Sequence, residues 1–307
     1  MRIGIDAGSS LTLEASSRTK TFLTSAFQLT GVFVCAVALA PAPARAASPV
    51  AASPVVAGII WSTTTRTFGP GGDIWSTTTR PDGQIETAWG DGAVGCATKV
   101  SYGAGHLPHA LGGTLKRDGC GPSGSGNGKI VSLLSTGSTL RGILLTHEMT
   151  WPNSTLSLMS STDSGTHWTR AGWSFSAAIK PAAFVQGGPA DGHVYLLAQK
   201  LSAAGATALY LMRVPEASLS VQSAYRYFSG TASAPAWSAD ASLARPIISG
   251  SPRSLEYPAM GRIKGLGRYF LTAGLGGPDS SAVLDAPAPW GPWTTVEWKE
   301  PGSGWLG

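Results

Sequence analysis

An eight-residue polar segment between two β-rich runs constrains the fold of this chain more than any other feature. It has the pattern Ser161-x-Asp163-x-Gly165-x-x-Trp168. The Asp163 carboxylate can accept hydrogen bonds from backbone N–H groups of a tight turn, and Gly165 permits a positive φ. Trp168 can then pack the turn onto its own sheet. The segment predicts a β-hairpin in which Asp163 is a structural rather than a catalytic acid.

The rest of the sequence supports an all-β fold. The chain has 40 glycines, 21 prolines and 11 tryptophans, and only 13% of its 307 residues are charged. Amphipathic helical periodicity is nearly absent after the first 46 residues, and short β-rich runs are bounded by Gly, Pro, Asn and Asp. Such strands indicate a sandwich, a barrel or a propeller. A rhythm of roughly 50 residues, together with the Asp163 hairpin, favours the propeller.

The predicted fold is a five-bladed β-propeller whose last blade is incomplete. A propeller closes its ring because exposed strand edges invite pairing with other chains. Residues 300–307 remain for a fifth blade, with residues 57–70 available as a closing strand. The other four blades are predicted at about 73–115, 130–175, 183–228 and 255–298.

The N-terminal region has the features of an export signal. Basic residues precede an uncharged stretch at 21–40, and Ala44-Arg45-Ala46 has the small residues of a cleavage site. An uncleaved membrane anchor is the alternative interpretation of the same stretch. The predicted location is therefore secreted or at the cell envelope, with no stable membrane span after cleavage. The predicted organisation is a signal peptide over 1–46, a flexible Ala/Ser/Pro tether over 47–56 and one domain over 57–307.

Charge and cysteine content limit the partners. The net charge of +5 comes without any cluster of Lys and Arg, so a nucleic acid is not an expected partner. Cys96 and Cys120 form an even pair that fits one disulfide in an oxidising compartment, with two free thiols as the alternative. His106 and His109 lack ordinary zinc-ligand spacing to these cysteines, and no HExxH pattern occurs. We therefore predict no metal and no cofactor, and we expect a monomer.

Two aspartates in glycine-rich surroundings are the candidate catalytic residues. Asp73 and Asp91 are separated by a Pro-Asp-Gly turn at 81–83, and a hairpin about that turn brings them close together. Cleavage of a glycosidic bond needs such a pair, one protonated and one ionised. Trp75 and Trp89 are predicted to stack on a sugar ring and to lower the local dielectric. The alternative is that both aspartates only cap turns.

Four further side chains are candidates for binding the substrate. They are acidic residues beside aromatic ones, a tyrosine, and a histidine at the end of a predicted strand. Each has an alternative role as a turn or packing residue. The four are His147, Asp240, Glu256 and Tyr257.

The order of several motifs resembles a known family. The motifs lie at 72–75, 87–92, 161–168, 208–215, 227–240, 267–272 and 286–295, the last reading Ala-Pro-Ala-Pro-Trp-Gly-Pro-Trp-Thr-Thr. The series looks like the secreted five-bladed propeller family long catalogued as a domain of unknown function, some members of which are endo-D-arabinanases. Residues 161–168 resemble the Asp-box of carbohydrate-active propellers. The resemblance implies a carboxylate pair near the central opening, matched here by Asp73 and Asp91, with one as general acid and the other as nucleophile or base.

The predicted function is therefore metal-independent hydrolysis of a cell-envelope polysaccharide such as D-arabinan. The alternative is a non-catalytic propeller that binds carbohydrate or another surface partner. The acid pair distinguishes these two functions, because an enzyme needs both carboxyl groups in one cleft, about 5–9.5 Å apart. A binding module needs only the aromatic side chains.

Overall fold

The computed structural model consists almost entirely of β-strands and turns. It describes residues 2–4, 13–14, 47–60, 72–107, 115–124, 128–146, 155–175, 178–200, 206–277 and 280–300. The helices in these stretches are single 3₁₀ turns at Glu216–Ser218, Gln222–Ala224, Ala241–Leu243 and Lys264–Leu266. A small sheet near the N-terminus contains β1 (Arg2–Gly4), β2 (Leu13–Glu14) and β3 (Ile59–Ile60).

The other strands form four antiparallel blades in chain order. Blade I contains β4 (Asp73–Thr79), β5 (Ile85–Gly92), β6 (Val100–Leu107) and β7 (Lys116–Cys120). Blade II contains β8 (Lys129–Thr136), β9 (Thr139–Thr146), β10 (Thr155–Ser161) and β11 (Thr169–Arg170). Blade III contains β12 (Ile179–Gln186), β13 (His193–Lys200), β14 (Leu209–Pro215), β15 (Arg226–Phe228) and β16 (Trp237–Ser238). Blade IV contains β17 (Glu256–Ile263), β18 (Arg268–Gly274), β19 (Ser281–Ala286) and β20 (Thr294–Lys299).

The first strands of the blades meet around a central channel. Strands β12 and β17 pair in parallel through Val185 and Met260, so blades III and IV share one sheet. Gln186 links three blades: its Oε1 accepts a hydrogen bond from Thr78 Oγ1 at 3.0 Å, and its Nε2 donates to the Leu133 carbonyl at 2.7 Å. These bonds satisfy polar groups that the blade contacts would otherwise bury without partners.

Apolar side chains between neighbouring blades form the core. One cluster joins blades III and IV and includes Tyr195, Leu211, Leu271 and Trp293. A second joins blades II and III around Phe184. A fully buried Leu or Phe contributes about 1.5–3 kcal/mol relative to an exposed one, so these contacts dominate the stability of the ring.

The polar turn at 161–168 attaches blade II to blade I. Asp163 Oδ1 accepts hydrogen bonds from Ser161 Oγ at 2.8 Å and from the His167 backbone N–H at 2.9 Å. Gly165 has a φ of +83°, and a Cβ there would overlap the Cβ of Ala104 in β6. Asp163 therefore stabilises its own turn, and the turn packs against the neighbouring blade.

The segment predicted as a flexible tether lies against blade IV. The Ser53 N–H donates to the Thr295 carbonyl at 2.7 Å, and the Thr295 N–H donates to the Ala51 carbonyl at 2.7 Å. Val56 is buried as well. The Ala/Ser/Pro composition indicated a tether, but backbone pairing with the outer strand β20 fixes the segment and covers part of that strand's edge.

Three sequence predictions have different outcomes. The Cys96–Cys120 disulfide is present, and it joins the loop after β5 to the end of β7. Apart from β1 and β2, the predicted signal peptide at 1–46 lies outside the described residues, so its boundary stays a prediction. None of the helices in the described part of the chain has the length and apolar character that a membrane span requires.

Candidate active site

An open cavity of about 1350 Å³ occupies the central channel. The first strands of all four blades, β4, β8, β12 and β17, contribute to its wall. Asp73 and Trp75 of blade I line it, as do Glu256 and Tyr257 of blade IV. Four of the residues predicted from the sequence therefore face one cavity.

The structure brings Asp73 and Asp91 together as predicted from the hairpin, and it adds a lysine between them. Lys129 Nζ lies 2.6 Å from Asp73 Oδ2 and 2.8 Å from Asp91 Oδ2. The two carboxylate oxygens are therefore at most about 5.4 Å apart, which is below the roughly 6.5–9.5 Å separation of an inverting glycosidase pair. The side chain of Asp73 is 50% exposed and that of Asp91 is 22% exposed. Asp73 faces the cavity, and Asp91 lies beside it.

Unusual backbone conformations surround this site. Ile74, Asp91 and Tyr257 have φ values of +49°, +46° and +45°, which non-glycine residues rarely adopt. The strand registers also shift between Asp73 and Ser76 and again just after Glu256. Such strained positions cost about 1–3 kcal/mol each and cluster at functional sites. The strain marks the wall of the channel as more than a packing surface.

The two predicted tryptophans have different roles. Trp75 is 39% exposed and lines the cavity, so its indole is available to a ligand. Trp89 is 0% exposed and packs beneath Trp75, with ring centroids 5.7 Å apart. The prediction that Trp89 stacks on a sugar is therefore wrong, because no face of its ring is open. Trp89 instead supports Trp75 from the core.

The remaining predicted binding residues divide into three cases. Glu256 and Tyr257 line the cavity, and Tyr257 is 72% exposed. Asp240 follows the outermost strand of blade III, and its Oδ1 accepts a hydrogen bond from the Ser242 N–H at 2.8 Å. It caps a 3₁₀ turn four strands away from β12 in the same sheet, so it does not line the channel as the sequence suggested. His147 lies outside the described residues.

Sequence reasoning missed Lys129. It is the first residue of blade II and precedes an apolar strand, so it resembles an ordinary polar strand end. Its side chain is only 11% exposed, which is unusual for a lysine. A lone lysine at the start of a predicted inner strand was the available signal. Its partners are 56 and 38 positions away in the sequence, and no local pattern connects them.

One group of potential metal ligands lies outside the channel. Ligand atoms of Glu86, His106 and Asp118 in blade I lie within 4.8 Å of one another. Arg80 Nη1 lies 2.9 Å from Glu86 Oε1, and His106 Nδ1 lies 2.8 Å from Asp118 Oδ2. Burial raises the pKa of Glu86, while the hydrogen bond from Arg80 opposes that rise. Glu86 Oε1 is paired with Arg80 and Asp118 with His106, while Glu86 Oε2 is buried without a hydrogen-bond partner, so the cluster fits a structural ion-pair network.

Comparison with solved structures identifies the same architecture elsewhere. A GH43 enzyme from Xanthomonas citri, also solved with xylose, matches with a TM-score of 0.50 over 78% of each chain, at 13% and 12% identity for the two structures. An exo-beta-1,3-galactanase from Phanerochaete chrysosporium, solved with beta-1,3-galactotriose, matches with a TM-score of 0.51 at 11% identity. That match covers 79% of this chain and 53% of the galactanase chain. At these identities the likeness concerns the fold, and it confirms the prediction of an all-β propeller of the five-bladed class, of which the described residues form four blades.

Sequence comparison gives the family. No curated protein matches the chain. The model of the family described as a domain of unknown function, DUF4185, matches residues 142–302, which is more than half of the 307 residues. The matched region runs from blade II to the end of blade IV, and Asp73 and Asp91 precede it. The chain therefore belongs to the DUF4185 family.

Proposed function

We propose that the protein is an exported glycoside hydrolase that cleaves a cell-envelope polysaccharide. The observation that supports this most is the Asp73–Asp91 pair, whose Lys129-bound oxygens are at most about 5.4 Å apart beside an open channel. The xylose and galactotriose in the structures of similar fold support a sugar as the ligand of this channel. The disulfide supports export, because such bonds persist in oxidising compartments.

The channel offers the groups that such a reaction needs. Trp75 and Tyr257 present exposed rings on blades I and IV, and rings of this kind stack on sugar faces. Asp73 is half exposed, so it can contact the sugar at the bond to be cut. One carboxyl protonates the leaving oxygen, and the other attacks the anomeric carbon or activates water. Our proposed substrate is an arabinan, and an open channel suits endo-acting cleavage within a long chain.

The decisive experiment compares wild type with Asp73→Asn and Asp91→Asn on arabinogalactan. We expect wild type to release oligosaccharides and both variants to release none. Asp82→Asn is the matched control, because Asp82 lies exposed in the turn of the same hairpin. Circular dichroism checks that all variants fold. An aryl arabinofuranoside then separates the roles, because a good leaving group restores activity when the acid is missing but not when the nucleophile is missing.

A non-catalytic carbohydrate-binding propeller is the second candidate. Lys129 neutralises part of the charge of the aspartate pair, and Asp91 does not line the cavity. Both observations fit a binding site in which the ion pairs are structural. This candidate predicts that folded wild type binds arabinan oligosaccharides in calorimetry yet releases no product, and that Trp75→Ala weakens binding more than Asp73→Asn does.

A further inference from the structure

The Lys129 side chain crosses from one blade to another. Lys129 begins β8 of blade II, and its ammonium contacts Asp73 at the start of β4 and Asp91 near the end of β5. Both partners belong to blade I. Among the described residues, these two carboxylates are the charged groups in contact with the ammonium. The lysine therefore connects the pair through a single atom.

Lys129 stays charged in this position. Burial by itself lowers the pKa of the ammonium, but the hydrogen bonds and negative charges of Asp73 and Asp91 outweigh that effect and raise it. A lysine that is protonated at neutral pH is not available as a general base. Its contribution is a fixed positive charge.

The local backbone makes room for this contact. Gly90 lies opposite Asp73 in the strand pair. A Cβ on Gly90 would lie 2.7 Å from Asp73 Oδ1 and 2.9 Å from Lys129 Cδ, both closer than real contacts allow. The absence of a side chain at Gly90 lets the lysine stem and the Asp73 carboxylate approach the strand together.

The two aspartates lack regular strand geometry of their own. Asp91 has a positive φ, and the register after Asp73 is shifted. Their side-chain positions therefore do not follow from the β-sheet alone. A charged contact shared by both can fix their separation and offset their mutual repulsion.

We infer that Lys129 is a positioning residue that fixes the relative placement of Asp73 and Asp91 for glycosidic cleavage. This inference rests on the proposed function. It identifies a residue outside the aspartate pair whose charge the reaction needs although it transfers no proton. A misplacement of reacting groups by about 1 Å can cost on the order of 100-fold in rate, which sets the expected effect of losing the contact.

The test compares Lys129→Met, Lys129→Ala and the matched control Lys116→Ala. Lys116 is an exposed lysine that begins β7, so its loss leaves the channel unchanged. Met retains the apolar stem without the charge and is the variant expected to fold most readily. We expect kcat on arabinogalactan to fall by about 100-fold in both Lys129 variants, with a much smaller change in KM. Propylammonium added to Lys129→Ala should recover part of kcat, and neutral 1-propanol should not.

Two outcomes would overturn the inference with the proposed function intact. One is a kcat in Lys129→Met within a few-fold of an active wild type. The other is a loss of kcat in folded Lys129→Ala that propylammonium and propanol affect equally, because a purely structural lysine would behave in this way.

The contact of Lys129 with both aspartates can also be tested without measuring hydrolysis. The ¹³C shifts of the Asp73 and Asp91 carboxyl carbons, followed against pH, should both change in Lys129→Met, while that of Asp82 should not. If wild type is inactive and both shifts change, the proposed function fails and the shared contact stands. Unchanged shifts would refute the contact itself.

Discussion

Replacing Gly103 by alanine is a direct test of how the core supports the channel wall. Gly103 lies opposite Trp89 in the β5–β6 pair. A Cβ on Gly103 would overlap Cζ2 and Cε2 of the Trp89 indole and lie 2.9 Å from Nε1. Trp89 is fully buried, so its ring has no open side toward which it can move. Aromatic rings commonly cover a glycine on the neighbouring strand in this way.

The structure sets the size of the effect. Overpacking a close-packed core costs about 1–3 kcal/mol. For a domain of this size, each kcal/mol lowers Tm by roughly 2–4 °C, so Gly103→Ala should lower Tm by about 2–12 °C. Because Trp75 rests on Trp89 with ring centroids 5.7 Å apart, a displaced Trp89 should also move Trp75 and weaken sugar binding.

The assay is thermal unfolding by circular dichroism, with Gly172→Ala as the control. Gly172 is exposed, and a Cβ there would meet no atom within 4 Å. Calorimetric titration with an arabinan oligosaccharide reports the effect on Trp75. A Gly103→Ala protein as stable as Gly172→Ala would refute the packing argument. Lower Tm with unchanged sugar affinity would refute the support of Trp75 by Trp89.

Three further predictions concern the disulfide, the polar turn and the reaction. Replacing Cys96 and Cys120 by serine opens a loop of sequence separation 24 and should lower the free energy of unfolding by about 3 kcal/mol in urea titrations. Hydrogen bonds from the His167 backbone and side chain and from Ser161 lower the pKa of Asp163 to about 2 from an ordinary value of 3.8. The stabilisation by Asp163 is therefore complete above the ordinary value and is lost as the pH falls toward the folded-state value. Urea midpoints of wild type should drop over that interval, and those of Asp163→Asn should drop less. If the protein hydrolyses arabinan, proton NMR of the first products should show retained anomeric configuration, because the Lys129-bound oxygens lie closer together than the roughly 6.5–9.5 Å of an inverting pair.

Local patterns were sufficient to predict the blades. The segment at 161–168 was predicted as a β-hairpin, and the structure has Thr155–Ser161 and Thr169–Arg170 paired around it. Short runs of this kind lie between turn-forming residues, so the signal lies within about ten residues of chain. The four blades begin within four residues of their predicted starts for the same reason.

The candidate site could be predicted only where it is local. Asp73 and Asp91 share a hairpin, so their approach followed from one turn. Burial of Trp89 did not follow, because both tryptophans flank an aspartate and glycine in similar ways. In a regular strand Trp89 and Asp91 would point to the same face. The positive φ of Asp91 interrupts that alternation. Because the residue is an aspartate and not a glycine, the sequence does not indicate a positive φ at this position.

The propeller fold explains why the channel wall comes from several blades. The first strands of the four blades begin at Asp73, Lys129, Ile179 and Glu256, and each of these strands contributes residues to that wall. In blades I and IV the second residue of the first strand has a positive φ. In blade I this residue is Ile74, which precedes the exposed Trp75, and in blade IV it is Tyr257, whose own ring is exposed. Packing alone gives no reason to repeat a strained conformation in two blades, because the strain costs stability each time. The fold places the first strand of each blade along the channel, and the side chains that these strands present determine what the channel can bind.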